Sequence, residues 1–298
     1  MEAPDYNSPQ ALKLFLEEHG MAMQKKFGQN FMVSPSARKR IISLLSINHN
    51  DEIWEIGSGL GCMTQELLKN NAIVRAFEID KGFISILTEI FAQYIKDNQF
   101  FVIQGDVLKN WKKETLKKGS DFRGEEIKLF GNLPYNIAAS FIAQTISDNF
   151  MFDKCVFTVQ KEVAHRMVAK PNSKDYSVFS VLCQKNYNVK LGFELAAGNF
   201  WPRPNVASQV VILDALAKDK ILDCGDTATF VKVVHTLFSQ RRKTIYNNLK
   251  SLMPENYDAE DFLKSLGISP LLRAENLSVE QFCALSQKYS SVILKGKL

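Results

Sequence analysis

The chain has 298 residues, 46% of them apolar and 23% charged, which suffices for a full core and for one large domain with a smaller companion. Lys and Arg outnumber Asp and Glu by 37 to 32, a mild excess that admits a polyanionic partner without requiring one and is not gathered into a basic tail. The five cysteines, Cys62, Cys155, Cys183, Cys224 and Cys283, include no CxxC pair, which argues against a disulfide framework or a zinc site, and neither a leader-like apolar segment nor a membrane-length run is visible, so a soluble, cytoplasmic, metal-free protein is expected.

The first 50 residues contribute a basic pair, Lys25-Lys26. From Asp51 onward, short β-branched or aromatic runs alternate with helical segments, which predicts a mostly parallel sheet flanked by helices. The predicted strands are 52–56, 73–79, 100–104, 127–130 and 155–159. Two later runs, 187–195 and 209–213, are separated by Gly198-Asn199-Phe200-Trp201-Pro202-Arg203-Pro204 with no helical pattern, so they read as an antiparallel pair joined by a loop. After Asp214 strand signals stop, and 229–252, 258–266 and 278–290 carry helical periodicity, with Ser278 and Gln281 spaced as a capping box. The expected organisation is therefore a Rossmann-like α/β domain over 1–214, with an N-terminal extension and an antiparallel strand at its end, followed by a small all-helical domain over 215–298.

Three strand ends carry chemistry. Glu55-Ile56-Gly57-Ser58-Gly59-Leu60-Gly61 leaves the first strand and runs into a helix over 63–69, where glycines let a ligand approach the backbone and the helix N-terminus favours negative groups. A dinucleotide fingerprint would need a third glycine where Cys62 stands, which weakens a pyrophosphate reading. Glu78 lies 21 residues after Gly57 at the end of the second strand, where it can accept from ribose hydroxyls, and Asp106 after the third strand can accept from an adenine amino group. Each alone has a plainer, less favoured alternative as a tight turn or an N-cap. Together, in register with a fourth strand end, they describe a site for S-adenosylmethionine.

That fourth end is Gly131-Asn132-Leu133-Pro134-Tyr135. An amine conjugated into a purine ring is a poor nucleophile, so an enzyme acting on it must draw its lone pair out of the ring with hydrogen-bond acceptors. Asn132 Oδ1 and the Leu133 carbonyl can be those acceptors, with Tyr135 stacking on the base; an ordinary Pro turn is the plainer alternative. A base leaving its stack needs aromatic faces to replace stacking worth about 1–3 kcal/mol. Phe200, before the Pro202-x-Pro204 loop, is the candidate for the second face, the alternative being that it anchors the loop on the core.

With these motifs the chain resembles the ribosomal RNA adenine dimethyltransferase family from about Lys25 to its C-terminus. The resemblance rests on Gly28-Gln29-Asn30-Phe31-Met32, the glycine loop, Phe77-Glu78-Ile79-Asp80, Gly105-Asp106, Asn132-Leu133-Pro134-Tyr135-Asn136-Ile137, Phe200 to Ser208 and Arg241-Arg242-Lys243-Thr244. It implies that Asn30 and Met32 close over the methionine end of the cofactor, with Gly57 and Gly59 in the supporting loop, Glu78 on the ribose, Asp106 on the adenine, and Asn132 meeting cofactor and target amine. It further implies dimethylation of N6 on two adjacent adenosines in the 3′-terminal hairpin of small-subunit ribosomal RNA, within the immature 30S subunit. Ala138-Ala139 replaces the usual Ser-Thr, and Asn205 and Ala207 stand where Lys and Asp are common.

Phosphate contacts are assigned to Lys25, Lys26, Arg241, Arg242 and Lys243, the last three placed on a helix whose apolar ladder, Phe230, Val233, Val234, Leu237 and Phe238, faces the core. Lys112-Lys113 with Lys117-Lys118 reads better as a solvated face, and His165 and His235 as packed or solvent-facing residues, since this chemistry needs no imidazole. No exposed heptad pattern is present, so a monomer is expected. Three alternatives remain: a large-subunit methylase with the same core, a non-catalytic assembly or transcription factor with the same fold, and a DNA adenine methylase, which shares the amide-Pro-aromatic logic without the C-terminal match.

Overall fold

The computed structural model describes residues 1–24, 29–116, 126–133 and 135–295. In chain order its elements are α1 (Pro9–Glu18), β1 (Phe31–Met32), α2 (Pro35–Leu45), β2 (Glu52–Ile56), α3 (Cys62–Lys69), β3 (Ile73–Glu78), α4 (Lys81–Ile90), α5 (Ala92–Lys96), β4 (Phe100–Gln104), α6 (Val107–Leu116) and β5 (Ile127–Asn132). They continue with α7 (Tyr135–Ser147), β6 (Lys154–Gln160), α8 (Lys161–Val168), α9 (Val178–Asn186), β7 (Tyr187–Leu195), β8 (Phe200–Trp201), β9 (Ser208–Ala215), α10 (Thr227–Phe238), α11 (Ile245–Leu249), α12 (Ala259–Lys264) and α13 (Val279–Lys295).

Seven strands form one sheet in the order β4-β3-β2-β5-β6-β9-β7. The pairs β2–β3, β2–β5, β3–β4 and β5–β6 are parallel, and β9 runs antiparallel to β6 from Gln160↔Ser208 to Lys154↔Asp214. Strands covered on both faces need continuous rather than alternating apolar runs. Accordingly Ile53, Trp54, Ile56, Val74, Ala76, Phe77, Ile127, Leu129 and Phe130 are all buried. The chain leaves β2 toward β3 on one side and returns as β5 on the other, so the loops at the carboxyl ends of β2 and β5 diverge and open a crevice, the usual ligand position in such sheets.

Two compact units make up the chain: Met1–Phe141 with Phe152–Ala164 and Lys190–Asp214, and Ile142–Met151 with His165–Val189 and Ala215–Leu298. In the first unit, Ser8 and Ser34 cap α1 and α2 ahead of prolines that suit a first helical turn. Leu12, Phe15 and Leu16 of α1 join the core, and the buried Tyr6 hydroxyl donates to the Leu60 carbonyl at 2.7 Å. In the second unit the predicted ladder of α10 is buried, and Phe238 stacks on Phe282 of α13 at 5.6 Å between ring centres. The capping box of α13 forms in both directions, Ser278 N to Gln281 Oε1 and Gln281 N to Ser278 Oγ.

Three local expectations need correction. Residues 229–252 are not one helix: α10 ends at Phe238, where the Asn248 side chain takes up the Leu237 and Gln240 carbonyls at 2.7 and 3.2 Å, and α11 restarts after Thr244. Strand β5 continues past Phe130 to Asn132, so the amide sits on the last strand residue rather than in the turn. Phe200-Trp201 is not loop but a short strand that pairs antiparallel with β1, Met32 opposite Phe200 and Phe31 opposite Trp201. Two residues are too few to show a period of their own.

Candidate active site

At the carboxyl ends of the central strands lies a cavity of about 230 Å³ whose lining includes Asn30, Met32, Gly57, Gly59, Glu78, Asp106, Asn132 and Leu133. Eight residues predicted from four separate strand ends and the N-terminal motif therefore share one hollow. The glycines are there for geometry. Gly57 has φ +76° with open space where a Cβ would be, whereas at Gly59, φ +55°, a Cβ would lie 2.9 Å from the Phe31 ring. Gly61 then precedes α3 as an N-cap without a side chain, which leaves that helix terminus capped by no side chain beside the glycine loop.

Glu78, 5% exposed, is held by three backbone donors: Oε1 accepts from Ile79 N at 2.8 Å and Asp80 N at 2.9 Å, and Oε2 accepts from Gly59 N at 2.8 Å. A carboxylate offers about four lone-pair sites, so one remains, on Oε2, and this acid can take one further hydroxyl without giving up a backbone bond. Burial pushes its carboxyl above the ordinary glutamate range despite those donors. Asp106 accepts from Leu108 N at 3.0 Å through Oδ1, so it also starts α6 as a cap.

The sequence reading assigned no chemistry to Glu55, yet among the described residues its carboxyl is strongly altered by the fold. It is 1% exposed at the cavity wall, its Oε2 accepts from Thr64 Oγ1 at 2.6 Å, and burial raises its carboxyl to about 8. Its position just before the glycine loop was the only sequence signal, and burial at the end of a central strand is a tertiary effect.

Asn132 donates its Nδ2 to the Asn30 carbonyl at 3.0 Å, across 102 residues of sequence. That bond takes one of the amide's two N–H donors, fixes which way the amide faces, and leaves Oδ1 as the acceptor for another group. Leu133 is buried, and its N–H donates to the Thr158 carbonyl of β6 at 3.2 Å, which fixes the peptide that follows Asn132. Pro134 lies outside the described residues, and of Tyr135 only its place as the first residue of α7 is described. Phe200 is not brought to the cavity: it is 3% exposed and packs in the core of the first unit, because pairing with Met32 turns it inward. In that place it anchors the loop rather than presenting a face to a base. Its neighbour Trp201, half-buried, stacks on Phe31 at 6.2 Å.

S-adenosylmethionine suits these residues. Ser58 Oγ is buried at the cavity wall without a hydrogen-bond partner, the kind of atom a polar ligand satisfies, and the Gly57 position is a cradle that any side chain would fill. Ile79 and Val107, next in sequence to Glu78 and Asp106, add apolar lining to the same cavity. Among the described residues no group of His, Cys, Asp and Glu can hold a metal ion, and no helix is long and apolar enough to cross a membrane.

Of the residues assigned to phosphate contact, Lys25 and Lys26 lie outside the described residues. Arg241, Arg242 and Lys243 occupy the turn after α10, not a helix. Arg241 is engaged within its own unit, donating to the Lys174 and Tyr176 carbonyls at 3.1 Å each and to Glu275 at 2.9 Å, while Arg242 and Lys243 are exposed. Lys112 and Lys113 are exposed on α6, and Lys117 and Lys118 lie outside the described residues. His165 is half-buried on α8 and His235 is exposed on α10.

A model of the family described as ribosomal RNA adenine dimethylase matches residues 20–291. The chain is 44% identical to ribosomal RNA small subunit methyltransferase A of Treponema denticola, with 96% of each chain covered. It is 40% identical to the protein of that name from Treponema pallidum, over 98% of this chain and all of the relative, and 36% identical to that of Lactobacillus helveticus, over 92% and 94%. Among solved structures, a dimethyladenosine transferase from Plasmodium falciparum superposes with a TM-score of 0.69 at 24% identity, covering 87% of this chain and 96% of that one. The 23S rRNA methyltransferase ErmE follows with a TM-score of 0.58 at 18% identity over 86% and 98%. Both structures share the fold.

Proposed function

Because the chain belongs to the ribosomal RNA adenine dimethylase family, we infer that it methylates N6 of two adjacent adenosines in the 3′-terminal hairpin of small-subunit ribosomal RNA, with S-adenosylmethionine as donor. Relatives at 36% to 44% identity that carry the small-subunit name favour this substrate over a large-subunit one. The reading extends to action on the immature 30S subunit in the cytoplasm, by a monomer. It also divides the labour: the sheet domain, 1–214, carries out transfer, and Arg242 and Lys243 of the helical domain, 215–298, meet phosphates together with Lys25 and Lys26.

The observation that carries it is the Asn132 amide, oriented by the Asn30 carbonyl at the wall of the cavity. When bound, the cofactor's sulfonium supplies a methyl group on an already activated leaving group. What the chain must do is position. Glu78, with one acceptor site left, holds a ribose hydroxyl; Asp106 accepts from the adenine amino group; Asn30, Met32 and the glycine loop surround the remainder. Asn132 Oδ1 and the Leu133 carbonyl accept from the target amine and draw its lone pair toward the methyl, while Tyr135 stacks on the base. Orientation and fixed dipoles are the catalytic terms, and no general base is needed because the product amine can release its proton to water.

The test is incubation of the purified protein with labelled S-adenosylmethionine and small subunits that lack the modification. Dimethyladenosine is expected in the 3′-terminal hairpin with the wild type and not with Asn132→Ala. Absence of product with the wild type, or equal labelling by the variant, overturns the reading.

A further inference from the structure

Asp80 stands two residues beyond Glu78, is 6% exposed, and uses its two carboxylate oxygens for different purposes. Oδ1 accepts from Gly82 N at 2.9 Å and caps α4. A cap needs one oxygen only. Oδ2 accepts instead from two glutamine side chains of the N-terminal region, Gln24 Nε2 at 2.9 Å and Gln29 Nε2 at 3.2 Å. Gln29 Oε1 in turn accepts from Gln24 N at 2.7 Å, so one carboxylate oxygen and one amide tie the positions on either side of 25–28 together. The residue after Gln29 is Asn30, whose carbonyl orients the Asn132 amide at 3.0 Å. The same turn is fastened to the cofactor side, because Glu78 Oε1 accepts from the Asp80 N–H at 2.9 Å.

We propose that Asp80 is a positioning residue for methyl transfer: through Gln29 it holds the Asn30 carbonyl where that carbonyl turns Asn132 Oδ1 toward the target amine. The proposal rests on the reading of Asn132 given above. It separates Asp80 from an ordinary helix cap, since capping accounts for Oδ1 and leaves both glutamine contacts to Oδ2 unexplained. A single carboxylate thus joins the ribose-side turn to the N-terminal segment that touches the reacting amide.

Asp80→Asn keeps the cap, since Asn and Asp cap equally well, but sets an amide donor against two amide donors. Gln29→Ala cuts the same link at its other end. With S-adenosylmethionine saturating and undermodified small subunits as substrate, each variant is expected to lose about 10- to 100-fold in kcat, the scale of a small misplacement of reacting groups. Calorimetric affinity for S-adenosylhomocysteine should fall by much less than kcat, and the thermal midpoint should drop only modestly, since half-buried glutamine donors lose their acceptor. The double variant should be no slower than the slower single, because one chain of contacts has been cut twice. Losses in kcat that multiply in the double variant, an unchanged kcat with a lowered midpoint, or weakened S-adenosylhomocysteine binding with kcat retained would each overturn the proposal. A wild type that transfers no methyl group overturns the functional reading and this inference together; an active wild type with unaffected variants overturns this inference alone.

Discussion

Replacing Glu55 with Gln should make the protein more stable in alkali while leaving it unchanged in acid. Glu55 is enclosed at the end of β2 with the Thr64 hydroxyl as its partner, and burial carries its carboxyl from the ordinary 4.5 to about 8. The folded state therefore holds a proton that the unfolded chain has released throughout that window. The sign follows: stability contributed by this group is fully present below about pH 4.5 and is lost as pH rises to about 8. At about 1.4 kcal/mol for each tenfold change in proton affinity, the loss is at most about 5 kcal/mol. Glutamine copies the protonated acid in size, accepts from Thr64 and has no proton to lose. Urea unfolding of both proteins between pH 4 and 9 should give nearly coincident curves at the acid end and a gap that widens in the variant's favour toward pH 8. A difference that does not change with pH, or a variant less stable at pH 8, would mean that Glu55 is ionised in the fold and refute the reasoning.

Asn132→Ala should lower kcat by about 100- to 1000-fold, the cost of deleting one preorganised polar group aimed at a transition state, with RNA affinity in filter binding nearly unchanged. Gly57→Ala and Gly59→Ala should separate ligand from fold: both place an L-residue at positive φ, costing roughly 1–2 kcal/mol, but only Gly59→Ala also meets Phe31 at 2.9 Å. Calorimetry with S-adenosylhomocysteine should therefore show Gly57→Ala as the cofactor-binding lesion, weakened by about 10-fold or more, and thermal melts should show Gly59→Ala as the larger folding lesion. Arg241→Ala should cost about 1–2 kcal/mol of unfolding free energy, since two carbonyls and the half-exposed Glu275 pair lose their donor. Arg242→Ala should instead leave the melt unchanged and reduce the salt dependence of RNA binding by about one phosphate contact.

How much of this was legible in the sequence depends on the distance over which each feature is decided. The order of strands and helices after Asp51 shows in apolar runs because a covered parallel strand needs its apolar residues in an unbroken local row. Gly57, Gly59, Glu78, Asp106 and Asn132 can be placed in one site because parallel strands deliver successive carboxyl ends to the same edge of the sheet. The break at Phe238 within 229–252 coincides with six polar residues, Ser239 to Thr244, that interrupt the apolar period, and the contact that ends the helix there comes from the distant Asn248 side chain. Phe200 was placed at the site on its motif alone, and its pairing with Met32 shows it in the core instead.

By itself, then, the chain determined which chemistry stands at each strand end, because residue type and a period of two or 3.6 are local properties. Tertiary structure decided what those groups are free to do. Burial keeps a proton on Glu55, three backbone donors leave Glu78 one acceptor site, Arg241 is taken by carbonyls of its own unit, and a carbonyl 102 residues away turns the Asn132 amide. Desolvation and long-range hydrogen bonds arise only when distant segments meet, so no pattern in a neighbouring stretch of sequence encodes them.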